Sequence, residues 1–323
     1  MEKSWNFVSK NQWGPWVDLF YFFEHSSKRK VDYRSFQLFA EVDELEILKH
    51  CPTRWLSLER VVERTLNQLS ALRSYFASHP DVEKPGKVKS LHERLQDPLS
   101  ELTLLFFQFI LPVLNAFNTV FQSDETKIGA LKEEMVRLLR LLIVKFVQMK
   151  YVRGADLLKL DFADSNLQHD DSRIAVGGPA RTLLDEDHIS PHDKNRFFGD
   201  VRAFCVAAVK KMVAKFPFGD EVLSDLVILD FSKRGDYMYN HVVRLASKFA
   251  PSVNVESLKD EWDDFQLLGD NEVNLLDSKG QPRRLGAVWA DIFDMKTSLG
   301  VARFPEITKV GVALMCLPHS NAD

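Results

Sequence analysis

The sequence predicts a mainly α-helical protein, and three observations support that interpretation. Apolar residues recur at three- and four-residue steps through most of the chain, strand-like runs are sparse, and hydrophobic residues make up 45% of its 323 residues. A chain of this length and apolar content can bury a sizeable core, as one large domain or two small ones. The charged fraction of 27% and the modest Gly and Pro content exclude a disordered or collagen-like chain.

The first half of the chain is predicted to contain four helical segments. An aromatic segment over residues 16–24 comes first, and residues 57–78 follow with apolar side chains on one face and Glu and Arg on the other. Residues 102–121 are largely apolar and uncharged and residues 127–149 are amphipathic, so both are expected to supply the core. The predicted core residues are Leu66, Leu69, Leu72, Phe106, Phe109, Leu114, Phe117, Leu138, Leu142 and Phe146.

The uncharged segment 102–121 is also long enough to span a membrane. Gln108, Asn115 and Asn118 are costly in hydrocarbon, and Pro112 interrupts the segment. A helix buried inside the protein therefore fits better, and no membrane partner is predicted. The N-terminal residues show no apolar run before a small-residue cleavage site, so we expect no secretion signal.

Four regions are predicted along the chain. Residues 1–160 form a helical segment, residues 161–194 a polar linker, residues 195–303 a second helical segment, and residues 304–323 a short C-terminal region. Between Asp220 and Asp277 thirteen Asp and Glu residues face five Lys and Arg residues, so the second segment should carry an acidic surface that repels DNA. No internal repeat at a fixed spacing is found.

The common catalytic motifs are not found in the sequence. It contains no nucleophile elbow, P-loop, dinucleotide-binding fingerprint or HExxH motif. His188 and His192 lie four residues apart in an acidic stretch, but a proline between them favours a solvated turn over a metal site. Three widely spaced cysteines, Cys51, Cys205 and Cys316, predict no disulfide framework and favour a reducing compartment. We therefore predict no metal and no cofactor.

Two short features combine the residue types that nucleic-acid binding needs, namely cations for phosphates and flat side chains for bases. Lys28, Arg29 and Lys30 form a basic run, and Arg54 precedes Trp55 at the entrance to a helix. The alternative is that Trp55 packs in the core while Arg54 pairs with a carboxylate, and the residues alone favour that alternative. The formal charge of −4 excludes a surface that binds nucleic acid throughout.

Four segments, in order along the chain, resemble hAT-superfamily DNA transposases, most closely the domesticated-looking vertebrate branch. Residues 50–76, HCPTRWLSLERVVERTLNQLSALRSYF, resemble the family's segment around its Arg-Trp motif. The stretch upstream of that motif resembles residues 21–30, YFFEHSSKRK, and the helical insertion resembles residues 111–125, LPVLNAFNTVFQSDE. The start of the C-terminal dimerisation region resembles residues 304–323, FPEITKVGVALMCLPHSNAD. The resemblance implies the helical insertion domain of an RNase H-like transposase, with at most a few residual short strands.

The resemblance also implies that the family's catalytic acids lie outside these residues. In the family, two metal-binding acids and a zinc-binding BED finger lie upstream of the segment that matches residues 21–30. The third acid is a Glu just beyond the Ser-Asn-Ala-Asp run, which occupies residues 320–323 here. Because such acids hold the two ions that activate the attacking group, we expect a catalytically inactive chain that is not an enzyme.

By the same resemblance, the expected function is binding in the nucleus, with the cytoplasm as the alternative location. The family uses the motif that matches Arg54 and Trp55 near the flipped base or hairpin at the cleavage site, and Lys28, Arg29 and Lys30 would assist at phosphates. We expect weak DNA binding, together with association of the chain with itself or with a longer paralogue through the C-terminal region.

Two alternatives to this function remain. The chain is an active transposase if the natural product is longer or pairs with an intact relative. Otherwise it is a protein-interaction module or a relic without a DNA role, in which residues 310–317 would expose apolar surface that seeks a partner.

Overall fold

The computed structural model describes residues 18–49, 55–120, 128–269 and 271–317. These residues are mainly α-helical, which confirms the predicted fold class. Within the described ranges there is no β-strand, and extended pairing is limited to isolated bridges. The chain divides into two compact units, the first from Met1–Ala116 and Leu138–Lys215 and the second from Phe117–Arg137 and Phe216–Asp323.

The first unit contains helices of 4 to 25 residues, including most of α6 and the end of α7. Its helices are α1 (residues 18–24), α2 (Ser27–Phe39), α3 (Trp55–Asn67), α4 (Leu69–Ala77), α5 (Lys87–Gln96), α6 (Pro98–Val120), α7 (Leu131–Ile143), α8 (Met149–Val152), α9 (Gly178–Leu184) and α10 (Pro191–Lys215).

An aromatic cluster holds α1, α2 and α4 together. The ring centroids of Phe22 and Phe76 lie 5.0 Å apart, and those of Phe23 and Tyr33 are also 5.0 Å apart. All four side chains are buried, and Tyr75 contacts the cluster edge-on. Such pairs add about 0.5–1.5 kcal/mol each beyond the burial of their area, so they fix the angle at which α2 leaves α1.

Helix α6 is the apolar segment that the sequence singled out. Within the described ranges, its stretch Pro98–Phe117 is the one helix long and apolar enough to cross a membrane, by length and composition only, and half of that stretch is buried inside the protein. Pro112 interrupts the helical hydrogen bonds at the carbonyl of Gln108. Both residues are exposed, so water can reach that carbonyl without disturbing the buried face that carries Leu102, Ile110 and Leu111.

The predicted linker, residues 161–194, packs into the first unit. Phe162 and Ile174 are buried, and Gly177 adopts a φ of 90° beside Phe109. A Cβ at Gly177 would lie 2.8 Å from the Cβ of Phe109, which no side chain tolerates without a shift. The sequence did not indicate that these few apolar residues are buried, because the segment is mostly polar and they follow no helical or strand period.

The second unit contains shorter helices and three 3₁₀ turns. Its complete elements are the 3₁₀ turns Ile128–Ala130, Leu226–Leu229 and Phe231–Asp236 and the helices α11 (Glu221–Asp225), α12 (Tyr239–Phe249), α13 (Val255–Gln266), α14 (Leu285–Phe293) and α15 (Pro305–Met315).

Aromatic stacking dominates the core of the second unit. The ring of Phe265 stacks with Trp262 at 5.5 Å and with Trp289 at 5.9 Å between centroids, and Phe304 meets it edge-on. The indole Nε1 of Trp289 donates a 2.8 Å hydrogen bond to the carbonyl oxygen of Leu229. The core therefore buries two indoles while leaving the Trp289 donor satisfied.

Helix α15 packs into this core, so residues 310–317 expose less apolar surface than the alternative of a protein-interaction module expected. Val310 and Leu314 are buried within the second unit, whereas Val312 remains 46% exposed. Gly311 permits this packing, since a Cβ there would lie 2.7 Å from the ring of Phe293. The apolar residues expected to need a partner are covered by the unit's own helices α12, α13 and α14.

A repeat that the sequence did not reveal occurs in the second unit. Two turns, each followed by a helix, are offset by twenty residues, and each has a glycine at positive φ, Gly280 at 73° and Gly300 at 77°. In each turn the backbone N–H of an arginine, Arg283 or Arg303, donates to a carbonyl eight residues earlier at 2.9 Å. Because the paired residues share little more than a Ser, the Gly and the Arg, the sequence pattern alone is too weak to reveal the repeat.

Candidate nucleic-acid interface

The predicted DNA contacts fall in two places, and the structure describes one of them. Arg54 lies outside the residues that the structure describes. Trp55 is the first residue of α3, and the structure describes its backbone but not its side chain. Lys28, Arg29 and Lys30 form the first turn of α2. The hydroxyl of Ser26 caps that turn by accepting a 3.3 Å hydrogen bond from the backbone N–H of Arg29.

Arg29 is held in place by α1. Its guanidinium carbon lies 4.1 Å from the centroid of the Phe22 ring, and its Nη1 donates a 2.9 Å hydrogen bond to the Phe22 carbonyl oxygen. A guanidinium has five N–H donors, so this arrangement leaves others for a phosphate. Arg29 is thus a positioned cation at the exposed start of α2.

The three cations of this turn have different surroundings. Lys28 is exposed, and no described residue pairs with it. The ammonium of Lys30 lies 3.4 Å from a carboxylate oxygen of Glu46, so this lysine is half-buried and paired. Lys28 is therefore the freest of the three to meet a phosphate.

Glu46 connects α2 with α3. Its carboxylate pairs with Lys30, and its backbone carbonyl accepts a 2.7 Å hydrogen bond from Nη1 of Arg64 on α3. Arg60 lies one turn before Arg64, and Arg34 one turn after Lys30, so each helix presents two cations on one face. One pair of basic side chains on α2 and one pair on α3 therefore flank Glu46. The sequence alone did not predict this arrangement.

A buried network of two amides holds the segment that carries Glu46. Gln68 Oε1 accepts hydrogen bonds from the Tyr33 hydroxyl at 2.9 Å and from Gln37 Nε2 at 2.6 Å. Gln37 Nε2 also donates to the Leu45 carbonyl at 2.8 Å, and Gln68 Nε2 donates to the Asp43 carbonyl at 2.9 Å. Burial raises the pKa of the Tyr33 hydroxyl well above its usual range, so it remains a donor at physiological pH.

The charges of this surface are balanced. Within residues 27–49 and 55–67 seven Lys and Arg residues are matched by seven Asp and Glu residues. Affinity for the nucleic-acid backbone grows with the number of phosphates that a protein neutralises. The balance of charge therefore predicts that any phosphate binding by this surface is weak and has a small salt dependence.

The other candidate sites from the sequence give no metal centre in the described part of the chain. No group of three or more His, Cys, Asp or Glu residues there could hold a metal ion. His188 Nδ1 lies 3.1 Å from a carboxylate oxygen of Glu186 in an exposed turn. Burial raises the pKa of the Cys205 thiol to about 12, so that cysteine is not a nucleophile at neutral pH, while Cys316 is an exposed free thiol.

Comparison of the chain with protein-family models, with curated proteins and with solved structures gives no match. The chemistry of the surface therefore has to be argued from its own geometry. Paired cations on α2 and α3 can contact phosphate oxygens, and an aromatic residue at the start of α3 is suited to stack on an unpaired base.

Proposed function

We propose that this chain is a catalytically inactive protein related to hAT transposases that acts by binding. It associates with itself or with a longer paralogue through its C-terminal region, and it binds DNA weakly through the surface of α2 and α3. Its place of action is the nucleus. The single observation that carries the DNA part is Glu46, which joins α2 and α3 through Lys30 and Arg64.

The contacts of Glu46 give the proposed DNA surface its geometry. Because Lys30 and Arg64 both contact the segment of Glu46, the two basic pairs, Lys30 with Arg34 and Arg60 with Arg64, belong to one surface. Arg29 and Lys28 extend it at the start of α2. This surface includes residues from two of the four segments that resemble hAT transposases, residues 21–30 and 50–76. Because these two segments surround the Arg-Trp motif, the resemblance supports a contact with unpaired or hairpin DNA.

The balanced charges set the expected strength. A protein that neutralises Z phosphates shows a slope of about −0.9Z when log affinity is plotted against log salt concentration. Two pairs of cations interrupted by a carboxylate suggest roughly two to four phosphate contacts, so the slope should lie near about −2 to −4. Binding in the range of about 10⁻⁴ to 10⁻⁶ M at physiological salt is the expectation for such a surface.

The DNA part of the proposal is tested by fluorescence anisotropy with a labelled DNA hairpin. Arg60→Gln removes an exposed cation from the surface, and we expect the dissociation constant to rise about threefold to tenfold. Arg140→Gln, which removes an exposed arginine from α7, is the matched control and should leave the dissociation constant unchanged. Equal effects of the two substitutions would contradict a contact at Arg60.

Association through the C-terminal region rests on a narrower basis. Residues 304–323 resemble the dimerisation region of the family, and Val312 on α15 is 46% exposed. The acidic stretch Asp220–Asp277 belongs to the same unit and disfavours DNA there, so the partner of this unit should be a protein.

The association part is tested by light scattering coupled to size-exclusion chromatography. Val312→Lys places a charge on the exposed residue of α15, and we expect the dimer fraction to fall. Val255→Lys, at a valine of equal 46% exposure on α13, is the control and should have no effect. A monomer at every concentration tested would remove self-association and leave a longer paralogue as the partner to test.

A second candidate function has an observation in its favour. Seven acidic residues balance the seven basic residues of the α2 and α3 surface, which reduces its attraction for phosphates and favours a protein-interaction module without a DNA role. Anisotropy that stays flat on addition of the hairpin would support this candidate. An active transposase is the third candidate, for a longer natural product or a complex with an intact relative.

A further inference from the structure

We draw no further inference here: the strongest candidate, the exposed apolar face of α2 formed by Val31, Leu38 and Phe39, supports no proposal because nothing in the described part of the structure shows what covers it.

Discussion

Aromatic clusters occur in both units, but the polar interactions that accompany them differ. In the first unit, buried amides of Gln37 and Gln68 position the segment that carries Glu46. In the second unit, Phe265 stacks with two indoles, and Arg303 joins Asp264 and Glu272 where its partners reach solvent. A substitution in the buried network should therefore change both stability and binding, whereas one in the aromatic core of the second unit should change stability alone.

The largest expected effect comes from the aromatic core of the second unit. Phe265→Ala should lower the free energy of unfolding by about 3–5 kcal/mol, because it leaves a cavity between Trp262 and Trp289. Urea unfolding measures the effect. Leu267→Ala, at an 82% exposed residue just beyond α13, is the control and should change stability by less than about 0.5 kcal/mol. Similar losses in the two variants would show that Phe265 is not part of a closely packed core.

A pair of glycines in the first unit separates backbone strain from steric contact. Gly154→Ala at φ 73° meets nothing within 4 Å, so it should cost only the strain of a left-handed alanine, about 1–2 kcal/mol. Gly177→Ala at φ 90° should cost about 1–3 kcal/mol more, because its Cβ also meets Phe109. Thermal unfolding of both variants gives the difference, and equal losses would contradict the close approach.

The buried network provides the prediction that most directly compares the two units. Gln68→Leu removes the acceptor of the Tyr33 hydroxyl and one of the acceptors of Gln37 Nε2, so it should cost about 1–3 kcal/mol. Affinity for a DNA hairpin should fall as well, because Glu46 loses its support. Asn67→Leu, at the exposed neighbouring residue, should change neither quantity. Unchanged affinity in a destabilised Gln68→Leu variant would separate the network from the binding surface.

The smallest expected effect is a pH dependence in the second unit. Hydrogen bonds from Arg303 lower the pKa of Asp264. Hydrogen bonds from the backbone N–H of Gly269 and from the Arg303 side chain lower the pKa of Glu272. Because both pKa values are depressed in the folded state, the stability they contribute is present above the ordinary carboxyl pKa and is lost as pH falls below about 4. Arg303→Met should therefore flatten the acid limb of a stability–pH curve, whereas the exposed Lys279→Met should leave it unchanged.

Much of the helical architecture could be predicted from the sequence. The fold class is confirmed, and Leu69, Leu72, Phe146 and four other predicted core residues are buried. Leu66, Phe109 and Phe117 are half-buried, because a three- and four-residue period marks a whole apolar face and does not show where that face meets solvent.

The features that could not be predicted from the sequence depend on contacts between residues far apart along the chain. Polar residues 161–194 were expected to link two segments, but a few apolar side chains anchor them. One alternative expected residues 310–317 to remain uncovered, but Gly311 lets α15 approach Phe293 closely, and Val310 and Leu314 are buried. Gln37, Gln68 and Glu46 carry no sequence motif, since their roles depend on carbonyl groups and side chains distant along the chain.

The most direct test of the proposed binding function is a salt titration of DNA-hairpin anisotropy with the wild-type chain and Trp55→Ala. We predict weak binding that declines with salt at a slope of about −2 to −4 and that falls further without Trp55. Binding that is absent at low salt, or indifferent to both salt and Trp55, would contradict the proposed DNA surface.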